Sequence, residues 1–181
     1  MIFFRILFVS IFLHVFIIAL TASLMSGDFK YIGSQKCKIC HQLEKYGNQY
    51  EVWEKSNHAH AYLTLGTKKA KEVAKKLGVT DPQNAPECLK CHIAGYGKPD
   101  NTKMPSYSKE DGVSCESCHG PGSSYQKLRI MKSREASVKA GLIPGDLSLC
   151  DNCHNDESPV PVGEFDVNNA WEKIKHPLPQ K

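Results

Sequence analysis

The stretch Gly112-Val-Ser-Cys115-Glu-Ser-Cys118-His119-Gly-Pro-Gly122 decides how this chain is read. Two cysteines three positions apart share one face of a helical turn, and a histidine at the fourth position continues that face. This is the attachment pattern for c-type haem. Both thiols reach the porphyrin vinyl groups as thioethers, and the imidazole comes beneath the iron as its proximal ligand. The pattern recurs at Cys37-Lys-Ile-Cys40-His41, Cys88-Leu-Lys-Cys91-His92 and Cys150-Asp-Asn-Cys153-His154. All eight cysteines are used, and a histidine follows every pair. A zinc framework does not require histidine after each pair. A disulfide scaffold leaves the histidines unexplained, and a thioredoxin-like motif would occur once, near a βαβ pattern. The cofactor reading is therefore four covalently bound haem c groups, with their iron.

The composition around the motifs agrees. After the first 26 residues, 155 remain, and 54 of them, or 35%, belong to the set AVILMFWYC. Eight of the 54 are cysteines, so ordinary apolar side chains make up 46 of 155, or 30%. Five of the seven phenylalanines lie before residue 27. A typical domain is about 45–50% apolar, on a set that counts Gly rather than Tyr. Such a chain lacks the material for a conventional side-chain core. It has no second long apolar run, which excludes a polytopic membrane protein.

Residues 1–26 carry Arg5 as their single Asp, Glu, Lys or Arg, then the apolar run Ile6–Leu20, interrupted by Ser10 and His14, then small residues. This order fits a secretory signal peptide, with cleavage before Gly27. The competing reading is an uncleaved anchor, since Ile6–Ala22 is 17 residues, at the short end for a span. Either way, residues 27–181 form the exported body, periplasmic or otherwise outside the cytoplasm. Membrane contact is expected only if the leader stays. No cysteine near the junction suggests a lipoprotein.

The expected architecture is mainly α, a compact multihaem domain of short helices and long loops wrapped around four closely packed haems. Motif starts lie 51, 27 and 35 residues apart, so this is no tandem repeat. Ser34 is placed to cap a helix through Cys37–His41. Gln42–Lys55 reads as helical. Thr67–Leu77 has Ala70, Val73, Ala74 and Leu77 at helical spacing, with Gly78 as its stop and five lysines on the other face. That face reads as solvated surface, with docking to an acidic redox partner as the functional alternative. Asp81–Glu87 and Gly95–Gly112 read as turn and loop. Ser123–Ala140 reads as one helix closed by Gly141, and Asp146 as the cap of the fourth motif. Strands should be scarce.

Each iron needs a sixth ligand or keeps an open position. Outside the motifs, residues 27–181 offer only His58, His60 and His176, so four haems cannot all be bis-histidine within one chain. Met104 and Met131 are the remaining soft donors, and packing or exposure is the better reading for each. His58 and His60, two apart, point in different directions on a helix. Pro177 fixes an extended backbone at His176, which suits a ligand held in one place.

The segments around the motifs resemble the tetrahaem cytochrome c554 family. The matching pieces are CKICH with Trp53 and Ser56-Asn-His58-Ala59 after it, ECLKCH with Ile93-Ala-Gly95-Tyr-Gly97, GVSCESCHGPG, CDNCH and a histidine near the C-terminus. The resemblance covers roughly residues 30–181. It implies a mostly helical fold around stacked haem pairs and periplasmic electron transfer. It also implies a five-coordinate haem at His92, with His176 serving the first-motif haem and His58 the third. The family's third distal ligand falls about ten residues past the third motif, where this chain has Arg129. The fourth-motif haem is thereby left with His60, Met131 or nothing.

Three functions follow as expectations. The first is an electron carrier between redox partner proteins, and nothing resembling a nucleophile motif, phosphate loop or nucleotide fingerprint competes with it. The second is a haem enzyme reducing a small nitrogen oxide or peroxide at a five-coordinate haem. The third is a membrane-anchored quinol-oxidising cytochrome. The sequence charge is +4 and falls to +3 without Arg5. Each ferric haem contributes about −1 through its own charge, so the loaded protein is near neutral and a nucleic-acid role is unsupported. Oligomeric state is left open.

Overall fold

The computed structural model describes residues 29–160 and 163–177; the leader and its cleavage site lie outside them. The described residues form nine short α-helices joined by turns: α1 Ser34–His41, α2 Gln49–Glu54, α3 Ala61–Thr64, α4 Lys68–Lys76, α5 Pro86–His92, α6 Cys115–His119, α7 Leu128–Met131, α8 Arg134–Lys139 and α9 Val167–Ile174. Among them the extended pairing is a lone bridge between Tyr31 and Lys103. The mainly α expectation holds. None of these helices is long and apolar enough to cross a membrane.

The core is small. Its buried apolar side chains are Tyr31, Ile32, Tyr50, Ala59, Tyr62, Leu65, Ala74, Ala85, Ala94 and Tyr125. Only Ile32 and Leu65 are large aliphatics, and four of the others are alanines. Meanwhile Ile39, inside the first motif, is 63% exposed, and Leu43, Ile143 and Leu147 beside the motifs are also exposed. Apolar surface thus gathers around the cysteine pairs rather than inside the protein.

Local chemistry sets the helix ends, with four departures from expectation. The Thr67 hydroxyl accepts from the Ala70 amide and starts α4 as expected, and Gly78 takes a positive φ just past its end. Ser34, however, is the first residue of α1, and Gly33 is its N-cap. Gly33 has φ +81°, and a Cβ there would run into the Ser106 carbonyl, so only glycine brings the chain this close. Gln42–Lys55 is not continuous: a 3₁₀ turn at Glu44–Tyr46 and left-handed Gly47 and Asn48 precede α2. Ser123–Ala140 also divides, because Lys127 is extended and Ser133, also extended, restarts the chain as the cap of α8. Asp146 does cap, but the segment it opens, Leu147–Asn152, is 3₁₀ and stops before His154.

Packing brings distant motifs together. Helix α1, which carries the first motif, packs on α6, which carries the third. Helix α3 packs on α5, the second-motif helix, and α9 packs on the 3₁₀ segment of the fourth motif. The Gly112–Val113 segment is a hub. The Val113 amide donates to the His58 carbonyl at 3.0 Å, the Ala94 amide to the Gly112 carbonyl at 3.0 Å. The Trp53 indole N–H donates to the Val113 carbonyl at 2.9 Å.

Gly112 has φ +64°, and a Cβ on it would stand 2.6 Å from the His58 carbonyl oxygen. Gly112→Ala is therefore expected to cost about 1–3 kcal/mol from backbone strain alone, with displacement of the His58 loop adding to it. Denaturant unfolding of the variant against the parent protein measures this; equal midpoints and slopes would contradict it.

Candidate haem centres

All eight cysteines are free thiols and half-buried. Their contacts run between motifs. The Cys37 thiol lies beside that of Cys115, which brings the first motif to the third and raises the Cys37 pKa. Cys91 lies beside Cys153, bringing the second motif to the fourth, where burial first and the Cys91 charge second push the Cys153 thiol up to about 12. Cys118 is pushed up by burial and then by Cys150, so the third and fourth motifs are also neighbours. The cysteine pairs therefore stand in the spatial order first, third, fourth, second.

The motif histidines are held at one nitrogen. His41 Nδ1 bonds the Gln49 side-chain oxygen at 2.9 Å, His92 Nδ1 the Ala61 carbonyl at 2.7 Å, and His119 Nδ1 the Ile143 carbonyl at 2.9 Å. An Nδ1–H given to an oxygen leaves Nε2 as the lone-pair nitrogen for a metal. His154 is fixed otherwise: Phe165 stacks on it at 4.2 Å between ring centres with the planes 6° apart.

Two further histidines face motif histidines. The His58 and His154 rings lie 6.2 Å apart, and the His119 and His176 rings 5.9 Å apart. Two imidazoles that share one metal ion at about 2 Å each hold their ring centres about 6 Å apart. Burial pushes the pKa of His58, His154 and His176 down, which keeps them neutral with a lone pair to give. The Nδ1 atoms of His154 and His176 are buried without a hydrogen-bond partner. Thiol pairs, neutral facing imidazoles and exposed apolar side chains around them together fit haem. Among the described residues, no three His, Cys, Asp or Glu converge as a metal cluster, as a structural zinc would need.

The family resemblance implied His58 for the third-motif haem and His176 for the first; here the His58 ring faces His154 of the fourth motif, while His176 has both His119 of the third motif and His41 of the first beside it. His60 is exposed at the start of α3. Among the described residues its ring faces no motif histidine. Met131 sulfur accepts from the Ser137 hydroxyl at 3.9 Å, and Arg129 is exposed.

Sequence reading missed the supporting residues. Gln49 and Phe165 carry no motif. Neither does Glu116, a variable position inside the third motif. It is 2% exposed, and its carboxylate accepts the amides of Ile32, Gly33 and Gly122 at 2.7–3.0 Å. The Ser34 amide donates to Asp111 at 2.8 Å. Two carboxylates thus take the free N–H groups at the start of α1, as a helix N-terminus prefers.

Residues 36–120 match the family described as Cytochrome c554 and c-prime. Over these residues, just under half of the chain, the sequence is similar to the cytochrome c554 family. The range holds the first three motifs and His58; the fourth motif and His176 lie beyond it. Cytochrome c-554 of Nitrosomonas europaea is 32% identical over 121 residues, 65% of this chain and 49% of that protein. The chain thus spans about half the length of the curated relative it matches. No solved structure gives a significant match. The match is in keeping with c-type haem attachment at the first three motifs.

Proposed function

We propose that the chain is an exported tetrahaem cytochrome that carries electrons between redox partner proteins. The observation that carries this reading is the order of the cysteine contacts. Cys37 with Cys115, Cys118 beside Cys150, and Cys153 with Cys91 string the four attachment sites into one row. Attached groups would then be neighbours in the order first, third, fourth, second. An electron entering at one end need never make a long step.

The chain's own residues set how the row works. Cys37, Cys40, Cys88, Cys91, Cys115, Cys118, Cys150 and Cys153 would hold the haems; His41, His92, His119 and His154 would hold the irons from one side. His58 would complete the fourth-motif iron, and His176, beside both His119 and His41, the third- or first-motif iron. Haem supplies the reversible one-electron couple when bound; axial ligands, burial and hydrogen bonds to those ligands set its potential. Gln49, Ala61 and Ile143, by accepting from the imidazole N–H groups, raise the basicity of the ligating nitrogens and favour the oxidised iron. The leader supports export to the periplasm, and membrane contact follows only if it is retained. Docking to partners would use local patches such as the five lysines of α4, which leave that helix face positive.

A haem-stained gel with intact mass tests the reading. The expected mass is that of a chain beginning near Gly27 plus four haems. An unmodified mass would remove the whole proposal; four haems on the full-length chain would replace the cleaved leader with an anchor.

A further inference from the structure

We propose that α4, Lys68–Lys76, is the docking surface for an acidic redox protein, which exchanges electrons with the row at its second-motif end. The inference rests on the tetrahaem reading above and names the kind of partner and the place where it seats.

The first observation is charge without a counter-charge. Helix α4 carries Lys68, Lys69, Lys71, Lys75 and Lys76 against Glu72. All five lysines are exposed, and among the described residues none of them forms an ion pair. Lysines elsewhere do: Lys38 pairs with Glu54, Lys55 with Glu51, Lys103 with Asp100 and Lys175 with Glu172. The stability of the helix does not ask for this pattern. Lys68 and Lys69 stand in the first turn, at the positive end of the helix dipole, where no acidic residue offsets them. Lys68 with Lys71, and Lys71 with Lys75, are like charges at neighbouring helical positions and repel.

The second is position. Residues 65–67 join α4 to α3. Helix α3 packs on α5, the second-motif helix, and the Ala61 carbonyl at its start accepts from His92 Nδ1 at 2.7 Å. The second motif is one end of the row, so a protein seated on α4 reaches a terminal haem without passing an interior one. Leu63 and Leu77, 53% and 43% exposed, bracket the helix along the chain. They offer apolar contact beside the charges, which a protein interface needs as well as a charged rim.

The third is how charge is shared out. From Ala140 to Trp171 the chain has Asp146, Asp151, Asp156, Glu157, Glu164 and Asp166 and no Lys or Arg. That stretch holds the fourth motif. An acidic protein is repelled from it and drawn to α4, so the field orients the partner before contact. One other stretch is as basic, with Lys127, Arg129, Lys132, Arg134 and Lys139 exposed on and around α7 and α8. It follows the third motif, an interior member of the row. Its five charges are spread over residues 127–139 rather than gathered on one nine-residue helix.

The experiment uses the haem-loaded chain, with four haems established by mass, and a reduced plant-type ferredoxin, an acidic [2Fe–2S] protein, as the probe. Each productive encounter takes one electron from the cluster and reduces one ferric haem, and stopped-flow absorbance reads the second-order rate. In the parent protein the rate should fall steeply with added salt, because screening removes the attraction. Replacing all five α4 lysines by glutamine, a comparable helix former, should slow the reaction about tenfold or more at low salt and flatten its salt dependence. Replacing Lys127, Arg129, Lys132, Arg134 and Lys139 by glutamine removes the same charge and should change the rate by less than about threefold. In the parent protein, which needs no substitution, carbodiimide should cross-link ferredoxin carboxylates to α4 lysines. A loss under about tenfold in the α4 variant, an equal loss in both variants, or cross-links confined to residues 127–139 overturns the inference and leaves the tetrahaem reading in place. Self-association of the parent at low salt that the α4 variant loses overturns it too, because the occupant is then a second copy. A mass without four haems fails the earlier reading instead.

Discussion

Made without haem attachment, residues 27–181 are expected to be largely unfolded and rapidly cleaved by protease. Ordinary apolar side chains are 46 of 155. Among the described residues ten are buried, and only Ile32 and Leu65 of those are large aliphatics. Burial of a large aliphatic stabilises by about 1.5–3 kcal/mol, while ordering each residue's backbone costs about 1–2 kcal/mol. So few burials cannot offset the ordering of a chain this long. Porphyrin faces would cover Ile39, Leu43, Ile143 and Leu147, and folding would be coupled to attachment as it is to metal in small zinc domains. Replacing all eight cysteines by serine and following circular dichroism and limited proteolysis checks this. A cooperative unfolding transition in that variant would sink it.

Glu116→Ala in the haem-loaded protein is expected to cost about 3 kcal/mol or more. Its carboxylate takes three amides, from Ile32, Gly33 and Gly122, in a place where water does not reach. Leaving each buried donor unsatisfied costs about 1–3 kcal/mol. Burial pushes the carboxyl's pKa upward, and the three amides pull it back down because they favour the charged form. Glu116→Gln keeps one acceptor oxygen but turns an NH₂ toward amide donors, so its loss should be smaller than alanine's and still clear. Denaturant unfolding of the loaded variants measures both. A loss under about 1 kcal/mol for alanine would show that water or a shifted backbone replaces the carboxylate.

The four Cys-x-x-Cys-His motifs were legible directly, because thioether chemistry demands a fixed local spacing that can be read off as text. The poverty of the core was legible for a similar reason, since composition needs no structure. Helix α4 was readable from the spacing of Ala70, Val73 and Ala74 and from Thr67. The break in Ser123–Ala140 was not, because Lys127 and Ser133 are ordinary residues whose extended backbone is decided by what they pack against. The facing pairs were beyond reach for the same reason. His58 is separated from His154 by 96 positions and His176 from His119 by 57, and no local rule connects them. Glu116 sits at a position the motif leaves free, so nothing in the pattern announced a carboxylate that three amides require.

That carboxylate has a consequence in time. The amides at the start of α1 find their acceptor 83 and 84 positions further along the chain. On the proposed export from the N-terminus, Cys37–His41 would reach the far side of the membrane well before residue 116 arrives to seat it. Through that interval the first attachment site would be unanchored and open to haem attachment, and the arrival of the third would close it.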